Sequence, residues 1–405
     1  MLGHLLVALF LASAQGYYVA PAPRGGPTGT GTSTEPWDLA TALAGADGKI
    51  QPGDTVWVMG GRYVGAFRTQ LHGKPDSLIV FRQQRGERAT IDGTLRADGE
   101  YLAFWGFEIM QSNPVGGTYG LEVHTNGGRF INLVIHDAGS MGVSFWTPGE
   151  DAELYGCIIY NNGTRENLTH GVYVHNELGT KRLIDNVLFN NLALGIHAYA
   201  GRGNRPQRGL LIRGNVSFNN GSISRRYRAK ANILVGGEVP FADVEVSDNF
   251  LFFSGREGTN LQLGYAADVI NDNVIARGNL VWGGRTGIAT TTWRRADVEQ
   301  TAPTSDTTLD AVYVRPNAYE PGRAYIVAYN PSLRSDLKVD VSGVLHPGDV
   351  YELRSVQKLF GEPLARGTYS GDSLALPMAD VIGPPLPIRP ETAAPPVTPP
   401  AFDLF

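Results

Sequence analysis

The stretch from His170 to Tyr199 constrains the fold more than any other part of the chain, because it carries one short pattern twice. A glycine followed by alternating apolar and polar residues occurs at 171–175 (GVYVH) and again at 195–199 (GIHAY). Alternation with a period of two is typical of β-strands, and its return along the chain is typical of stacked repeats. The sequence therefore predicts short strands stacked coil upon coil, with any chemistry on their outward positions.

Six turn residues mark one corner of the predicted coils. They follow one another at intervals of 24, 30, 29, 34 and 30 residues, and all but one are asparagine: Asn132, Gly156, Asn186, Asn215, Asn249 and Asn279. Asparagine tolerates left-handed backbone angles, and its side chain can bond both its own turn and the asparagine of the next coil. We therefore expect these residues to hold the fold together.

The first part of the chain predicts export and a capped repeat. Residues 1–16 combine a short apolar run with the small-residue sequence Ala-Ser-Ala, as a secretory signal peptide does. We therefore expect a secreted or periplasmic protein with no membrane insertion. An amphipathic helix predicted over 37–46 would cover the open end of the repeat core.

The repeat region is predicted to span 17–295, followed by a polar linker at 296–309. Short alternating segments separated by Pro-Gly turns predict an antiparallel β-sandwich at 310–380. Residues 381–405 form a Pro-rich tail, of which 401–405 are apolar enough to pack back on the sandwich as an edge strand. The single cysteine, Cys157, occupies an apolar strand position and is expected to be a buried, inert thiol.

The segments YYVAP at 17–21 and IQPGDTVWVMGGRYVG at 50–65 resemble the N-terminal cap of secreted right-handed parallel β-helix proteins. This group includes chondroitinase B-like lyases, alginate lyases and related epimerases. The resemblance implies an all-β right-handed parallel β-helix and activity on a polysaccharide. In such lyases the base is commonly a lysine, with an arginine on a neighbouring coil and sometimes Ca²⁺.

This chain departs from that pattern, since its outward positions carry histidine and tyrosine. It also has no group of acidic residues on adjacent coils that would suit Ca²⁺. We therefore predict no metal site and no cofactor.

Aligning the second strand of each coil predicts which residues point outward together. Alternation sends Val, Ile and Leu inward and leaves an exposed column. Its members are Glu122, His124, Ser144, Trp146, Tyr173, His175, His197, Tyr199, Leu234, Gln262 and, just past its strand, Tyr265.

Two histidines and two tyrosines form the densest part of this column, and we name Tyr173, His175, His197 and Tyr199 the His/Tyr cluster. Four titratable or polar aromatic side chains on one face favour a functional site, with a stacked structural ladder as the alternative. His136 and His170 lie at predicted strand ends, where structural hydrogen bonds are expected instead.

A basic segment overlaps this cluster. The net charge of the chain is −5, yet residues 186–237 contain no Asp or Glu and include Arg202, Arg205, Arg208, Arg213, Arg225, Arg226, Arg228 and Lys230. Cations beside aromatic rings suit an anionic sugar chain. Nucleic acid also binds to cations and aromatic rings, but the predicted export of the protein argues against nucleic acid as a partner.

The reaction that suits such a site is β-elimination at a uronic acid. Cations neutralise the carboxylate, a base removes the C5 proton, and an acid protonates the leaving oxygen. We predict His175 or His197 as base and Tyr173 or Tyr199 as acid, with Lys230, Arg225 or Arg226 neutralising charge. The remaining predicted substrate contacts are Glu122, His124, Trp146, Arg202, Glu238, Gln262 and Tyr265.

Two alternatives stay open. A glycoside hydrolase needs two carboxylates at roughly 5–10 Å, for which Glu122, Glu177, Glu238 and Asp268 are candidates. A non-catalytic carbohydrate-binding or adhesive β-helix would bind a sugar chain along the same exposed column. In each case we expect a monomer.

Overall fold

The computed structural model describes residues 16–165, 168–226, 230–299, 309–379, 383–389 and 392–405. The predicted signal peptide lies outside these ranges except for Gly16, which begins the first strand. The repeat region forms a right-handed parallel β-helix, so the predicted all-β fold is confirmed. From Leu102 to Thr290, each coil contributes one strand to each of three parallel faces, which we name sheets 1, 2 and 3.

Sheet 1 has eleven parallel strands: Gly16–Val19, Thr55–Val58, Ile79–Gln83, Leu102–Trp105, Arg129–Ile131, Glu153–Tyr155, Lys181–Ile184, Gln207–Arg213, Phe241–Ser247, Asp272–Ala276 and Ala296–Val298. The last strand pairs with Asp272–Ala276. The β-helix therefore extends three residues beyond the predicted boundary at 295, into the predicted linker.

Within each coil the chain passes from sheet 1 to sheet 2 and then, after a second corner, to sheet 3. Sheet 2 comprises Glu108–Met110, Val134–His136, Ile158–Tyr160, Val187–Phe189, Val216–Phe218, Phe250–Phe252 and Leu280–Trp282. Sheet 3 comprises Leu121–Val123, Val143–Phe145, Val172–Val174, Ile196–Ala198, Ala231–Val235, Thr259–Leu263 and Thr286–Thr290.

One long strand joins sheets 2 and 3. Ala89–Ala97 pairs with Gly61–Thr69 on one side, and on the other with the first strand of each sheet. The strand can change partner at Gly93, whose φ angle of 152° is one that other residues rarely adopt. A Cβ atom on Gly93 would lie only 1.8 Å from the carbonyl oxygen of Gly65, so no larger residue fits there.

The N-terminal end of the core is capped by a helix shorter than predicted. The helix spans Leu39–Leu43, and Asp38 caps it by accepting a hydrogen bond from the Thr41 amide at 2.7 Å. Trp37 lies before the helix, buried and bridged to Val19. Apolar helix residues pack on the first coils, so the predicted capping role is confirmed.

A row of buried asparagine side chains runs up the corner between sheets 1 and 2. The amide of Asn186 donates to Asn215 Oδ1 at 2.9 Å, and the row continues to Asn249 and Asn279 at 3.0 and 2.9 Å. Each side chain also donates to a backbone carbonyl of the coil below, as Asn215 does to Leu183. The predicted column therefore exists.

Its first two members were aligned wrongly by one residue. The backbone amide of Cys157, not that of Gly156, donates to Asn186 Oδ1. Left-handed φ angles occur at the residue before each ladder position, which includes Asn132, Gly156 and Asp185. Cys157 therefore fills the ladder position of its coil as a fully buried thiol, and burial raises its pKa to about 12.

A second asparagine row, which the sequence did not reveal, marks the corner between sheets 2 and 3. It runs through Asn162, Asn191, Asn220, Asn232 and Asn260, with side-chain hydrogen bonds of 2.8–3.1 Å. The glycines that open the sheet 3 strands lie against it. A Cβ on Gly171 would meet Asn191 Nδ2 at 2.7 Å, so the glycine-led repeat is a consequence of this row.

The C-terminal module consists of small antiparallel sheets, in partial agreement with the predicted sandwich. One sheet contains Ala311–Pro316, Ala324–Tyr329 and Phe402–Leu404; the others pair Asp336–Val339 with Leu374–Pro377 and Val350–Leu353 with Ala365–Thr368. A short 3-10 turn spans Val356–Lys358. The strand Phe402–Leu404 confirms that the end of the tail packs back as an edge strand.

The module lies on the outer face of sheet 2 through aromatic side chains. Tyr160, Phe189 and Phe218 stack along the sheet at 4.9 and 5.0 Å between ring centroids. Phe402 then stacks on Phe252 at 4.5 Å and is fully buried. Sheet 2 is therefore covered, which leaves sheet 3 as the face that presents the predicted column.

Within the described residues, no helix has the length and hydropathy that crossing a membrane requires.

We expect Asn215→Ala to lower the free energy of unfolding by about 3 kcal/mol or more, because it leaves several buried polar groups unpaired at about 1–3 kcal/mol each. Chemical denaturation measures this loss. The exposed Asn204, whose side-chain amide donates to the nearby Gly201 carbonyl, provides the control Asn204→Ala with a change below about 0.5 kcal/mol. Equal effects of the two substitutions would contradict a stabilising ladder.

We expect Phe402→Ala to destabilise the β-helix and the module together, by about 3–5 kcal/mol, because the ring is buried between them. Trp282, whose ring centroid lies 6.5 Å from that of Phe402, reports the transition by fluorescence alongside circular dichroism. Leu333→Ala, at a 60% exposed position, is the control. A module that unfolds separately, without disturbing the β-helix, would count against this prediction.

Candidate active site

The strand register of sheet 3 brings the predicted outward residues side by side. Ser144 pairs with Glu122 and with Tyr173, and Tyr173 pairs in turn with His197. The row continues through Leu234 to Gln262. Neighbouring strands are about 4.8 Å apart, so residues from six coils lie side by side in one row, as the alignment predicts. The predicted exposure is wrong for Ser144 and Leu234, which are 0% and 5% exposed because neighbouring side chains cover them.

The His/Tyr cluster forms a contiguous group around Tyr173. The ring centroid of Tyr173 lies 5.1 Å from that of His175 and 5.4 Å from that of His197, while His197 stacks on Tyr199 at 4.9 Å. The Tyr173 hydroxyl is 3.2 Å from His175 Nε2. Trp146 closes the group, with centroids 5.4 Å from Tyr173 and 5.3 Å from His175.

The cluster is less exposed than the alternation predicts, and this corrects the assignment of His175 as an exposed residue. His175 is only 6% exposed, because Trp146 and Tyr173 pack on its ring. Its replacement would therefore disturb packing as well as chemistry. Tyr173 and His197 are partly exposed on the outer face of sheet 3.

His170 lies beneath the cluster and was expected only to make a structural contact. It is 2% exposed, and its Nε2 lies 2.9 Å from His197 Nδ1. Its Nδ1 accepts a hydrogen bond from the Leu194 amide at 3.2 Å. No period in the sequence signals this contact, because His170 precedes the glycine of its strand rather than occupying an outward position.

Burial keeps the three histidines uncharged at neutral pH. It lowers the pKa of His170 to about 3 and that of His175 to about 4. The pKa of His197 is lowered well below its usual value by burial and by the neighbouring His170 and His175. Burial also raises the pKa of Tyr173 to about 12. The site therefore presents neutral imidazoles and a neutral phenol.

Lys181 supports the cluster from inside the coil. Its Nζ donates to the carbonyls of Trp146 at 2.6 Å and His175 at 2.7 Å, and it lies 4.5 Å from the ring centroid of Phe145. The side chain is fully buried, and burial lowers its pKa to about 7. It holds the backbone at Trp146 and His175 in place from inside the coil.

A cationic cleft opens beside the cluster, one rung beyond His197. It has a volume of about 680 Å³, and its floor is formed by Leu234 and Gln262. Four cations and one carboxylate line it: Arg225, Lys230, Arg256, Arg285 and Glu257. Lys230 pairs with Glu257 at 2.9 Å, and the Arg225 guanidinium donates to the Thr392 carbonyl at 3.1 Å.

Arg256 and Arg285 extend the predicted basic set. Neither guanidinium forms an ion pair with the described residues. They lie outside the acid-free segment, on loops of later coils, and only the stacking of coils brings them to Lys230. Of the residues predicted from that segment, Arg225 and Lys230 line the cleft, whereas Arg226 does not; Arg228 lies outside the described residues.

Tyr265 and Arg202 are two more of the predicted substrate contacts. Tyr265 lines the cleft and meets Tyr199 edge-on at 5.2 Å. Arg202 pairs with Asp268 at 3.3 Å, and its amide donates to Glu238 at 3.1 Å.

Glu122 lies at the other end of the column from the cleft. It binds Arg96 and His124, each at 3.0 Å. At about 4.8 Å per rung, Glu122 and Gln262 are five rungs apart. A role for Glu122 and His124 in the same site would require an extended substrate.

The described part of the chain contains no group of three or more His, Cys, Asp or Glu side chains arranged to hold a metal ion.

Comparisons with known proteins give the fold. No protein-family profile and no curated protein sequence matches the chain. Its structure is similar to that of a pectate lyase, Pel9A, with a TM-score of 0.51 and 15% identity over 72% of this chain and 80% of that one. This similarity shows a parallel β-helix of the kind that the sequence resembles.

Two further solved structures resemble it at lower scores. An alginate lyase from Paenibacillus sp. str. FPU-7 has a TM-score of 0.48 and 17% identity, over 69% of this chain and 99% of that one. A rhamnogalacturonan lyase has a TM-score of 0.48 and 14% identity, over 71% of this chain and 87% of that one.

We expect the rings of His170 and His175 to stay uncharged at pH 5.5, because burial disfavours the imidazolium form. A pH titration of the ring resonances by NMR measures this, with free histidine in the same buffer as the reference. Ring signals of either residue that move through a midpoint between pH 6 and 7 would contradict the description of the site.

Proposed function

We propose that this protein is an exported polysaccharide lyase that cleaves a uronic-acid-containing glycan by β-elimination in the groove of sheet 3. The observation that carries this proposal is a cleft with four cations and one carboxylate, one rung from a cluster of neutral histidine and tyrosine side chains. The parallel β-helix shared with a pectate lyase is compatible with it.

The cations supply the first requirement of the reaction. A uronate carboxylate in the cleft would meet Arg256 and Arg285, whose guanidinium groups form no ion pair with a carboxylate of the described residues. Charge-assisted hydrogen bonds from arginine to a carboxylate are short and often bidentate. By withdrawing negative charge from the carboxylate, they make the neighbouring C5 proton more acidic.

The His/Tyr cluster and Lys230 supply the proton transfers. A base removes the C5 proton, the electron pair forms the C4–C5 double bond, and the C4–O bond breaks. An acid then protonates the oxygen that leaves. Tyr173, His175, Tyr199 and Lys230 are the groups that we propose for these two roles, with His197 beside them.

The composition of the cleft favours elimination over hydrolysis. A glycoside hydrolase needs a pair of carboxyl groups across the scissile bond. Among the described residues that line the cleft, Glu257 alone has a carboxylate, and it is bound to Lys230. None of the four predicted candidates lines the cleft. Glu177 and Glu238 interact with Arg205 and with the Arg202 amide, and Glu122 and Asp268 pair with Arg96 and Arg202.

The test is a panel of uronic-acid polymers, with the product followed by the ultraviolet absorbance of its C4–C5 double bond. We expect absorbance to rise together with the number of new chain ends. New reducing ends without absorbance would indicate hydrolysis, and binding without either product would indicate a non-catalytic carbohydrate-binding protein.

We expect Arg256→Ala and Arg285→Ala each to raise KM at least tenfold, because a hydrogen bond between charged groups contributes about 1.5–3 kcal/mol. Initial rates over a range of substrate concentrations measure the change. Arg366→Ala, in the C-terminal module and paired with Glu352 at 2.9 Å, is the matched control. Unchanged KM in both cleft variants would remove the proposed carboxylate site.

A further inference from the structure

We propose that His170 is a positioning residue that fixes the tautomer of His197, so that His197 acts in the groove as a hydrogen-bond donor through Nε2–H and not as a base. The role of that donor on a sugar oxygen rests on the function proposed above. The tautomer itself follows from hydrogen-bond directions alone.

The direction of the first hydrogen bond is fixed by the backbone. An amide N–H can only donate, so His170 Nδ1 must accept from Leu194 at 3.2 Å. A neutral imidazole carries one proton, and that proton must then lie on His170 Nε2. The 2% exposure of His170 and its pKa of about 3 agree with a neutral ring.

The second hydrogen bond passes this constraint to His197. His170 Nε2–H lies 2.9 Å from His197 Nδ1, which therefore accepts. The proton of a neutral His197 must then lie on Nε2. A second proton on Nδ1 would place two N–H groups against each other, so the contact with His170 also opposes the imidazolium form.

This geometry excludes His197 as the group that removes the C5 proton. Its single free electron pair is on Nδ1 and already accepts from His170. Its Nε2 is on the other side of the ring and makes no hydrogen bond to the described residues. The proton-accepting role therefore belongs to another of the proposed groups, which are Tyr173, His175, Tyr199 and Lys230.

A neutral donor suits the position of His197. The side chain lies between Tyr173 and Leu234 in register, and Leu234 is part of the cleft floor. During β-elimination, negative charge develops on the carboxylate oxygens as the C5 proton leaves. A preorganised neutral imidazole N–H can stabilise such a charge without the desolvation cost of burying an imidazolium.

The first test reads the tautomer without any substrate. Two-bond ¹H–¹⁵N correlation spectra of histidine-labelled protein at pH 7 distinguish a protonated Nδ1 from a protonated Nε2. We expect the protonated nitrogen to be Nε2 in both His170 and His197. A proton on Nδ1 of His197, or equal populations of its two tautomers, would overturn the proposal.

Two substitutions separate positioning from a structural role. In His170→Gln the side-chain amide can replace Nε2 as the donor to His197, whereas in His170→Asn the shorter side chain can replace only Nδ1 as the acceptor from Leu194. We expect Gln to keep the Nε2–H tautomer and at least a third of kcat. Asn should give mixed tautomers and a kcat that falls at least tenfold, with KM changed less than threefold because the arginines still bind the carboxylate.

His72→Asn, at a position with a 65% exposed side chain, is the control. It should change neither the ¹⁵N signals of His170 and His197 nor kcat. Equal behaviour of the Gln and Asn variants would show that His170 is only structural. If neither variant folds, the tautomer of the unsubstituted protein still decides the assignment. If the protein cleaves no uronate polymer, the proposed function fails, whereas the nitrogen signals still support or overturn the link between His170 and His197.

Discussion

Two rows of buried asparagine amides are the interaction on which the rest of this structure depends. Every corner of a β-helix turns the backbone beside an apolar core, where an unpaired N–H or C=O costs about 1–3 kcal/mol. Here each asparagine side chain satisfies an N–H and a C=O of the coil below it: Asn215 accepts from the Asn186 amide and donates to the Leu183 carbonyl. Because the rows are continuous, they set the vertical spacing of the coils. Sheet 3 then stacks in register and makes neighbours of Tyr173 and His197.

The repeat and the outward column of sheet 3 could be predicted from the sequence because both depend on local patterns. The glycine before four of the sheet 3 strands marks where the chain passes the second asparagine row (Gly120, Gly142, Gly171 and Gly195). Alternation then gives the direction of each side chain. The sequence pattern did not predict sheet 2 as a separate face. In each coil the chain passes a corner, a three-residue strand and another corner in succession, as in the segment 185–191. Alternation over three residues is too short to separate these features, and the same limit explains the alignment of Gly156 with Asn186.

The charged part of the site was predictable only in part, because charge along the sequence does not show which partners lie on other coils. The acid-free segment has many cations, but Arg202, Arg205 and Arg208 pair with carboxylates from neighbouring coils. Arg225 and Lys230 reach the cleft, where they join Arg256 and Arg285. Those two arginines lie on loops of different length, so they follow no repeat. The contact between His170 and His197 likewise depends on side-chain directions at a strand end.

The aromatic stack on sheet 2 also affects the order in which this molecule can be completed. Coils can add one by one from the capped end, each on a finished neighbour. Phe189, Phe218 and Phe252 remain uncovered until Phe402, far along the chain, has been synthesised. The same late segment supplies the Thr392 carbonyl that holds Arg225. A growing chain therefore carries an uncovered apolar stripe and an incomplete cleft until its last segment has been synthesised.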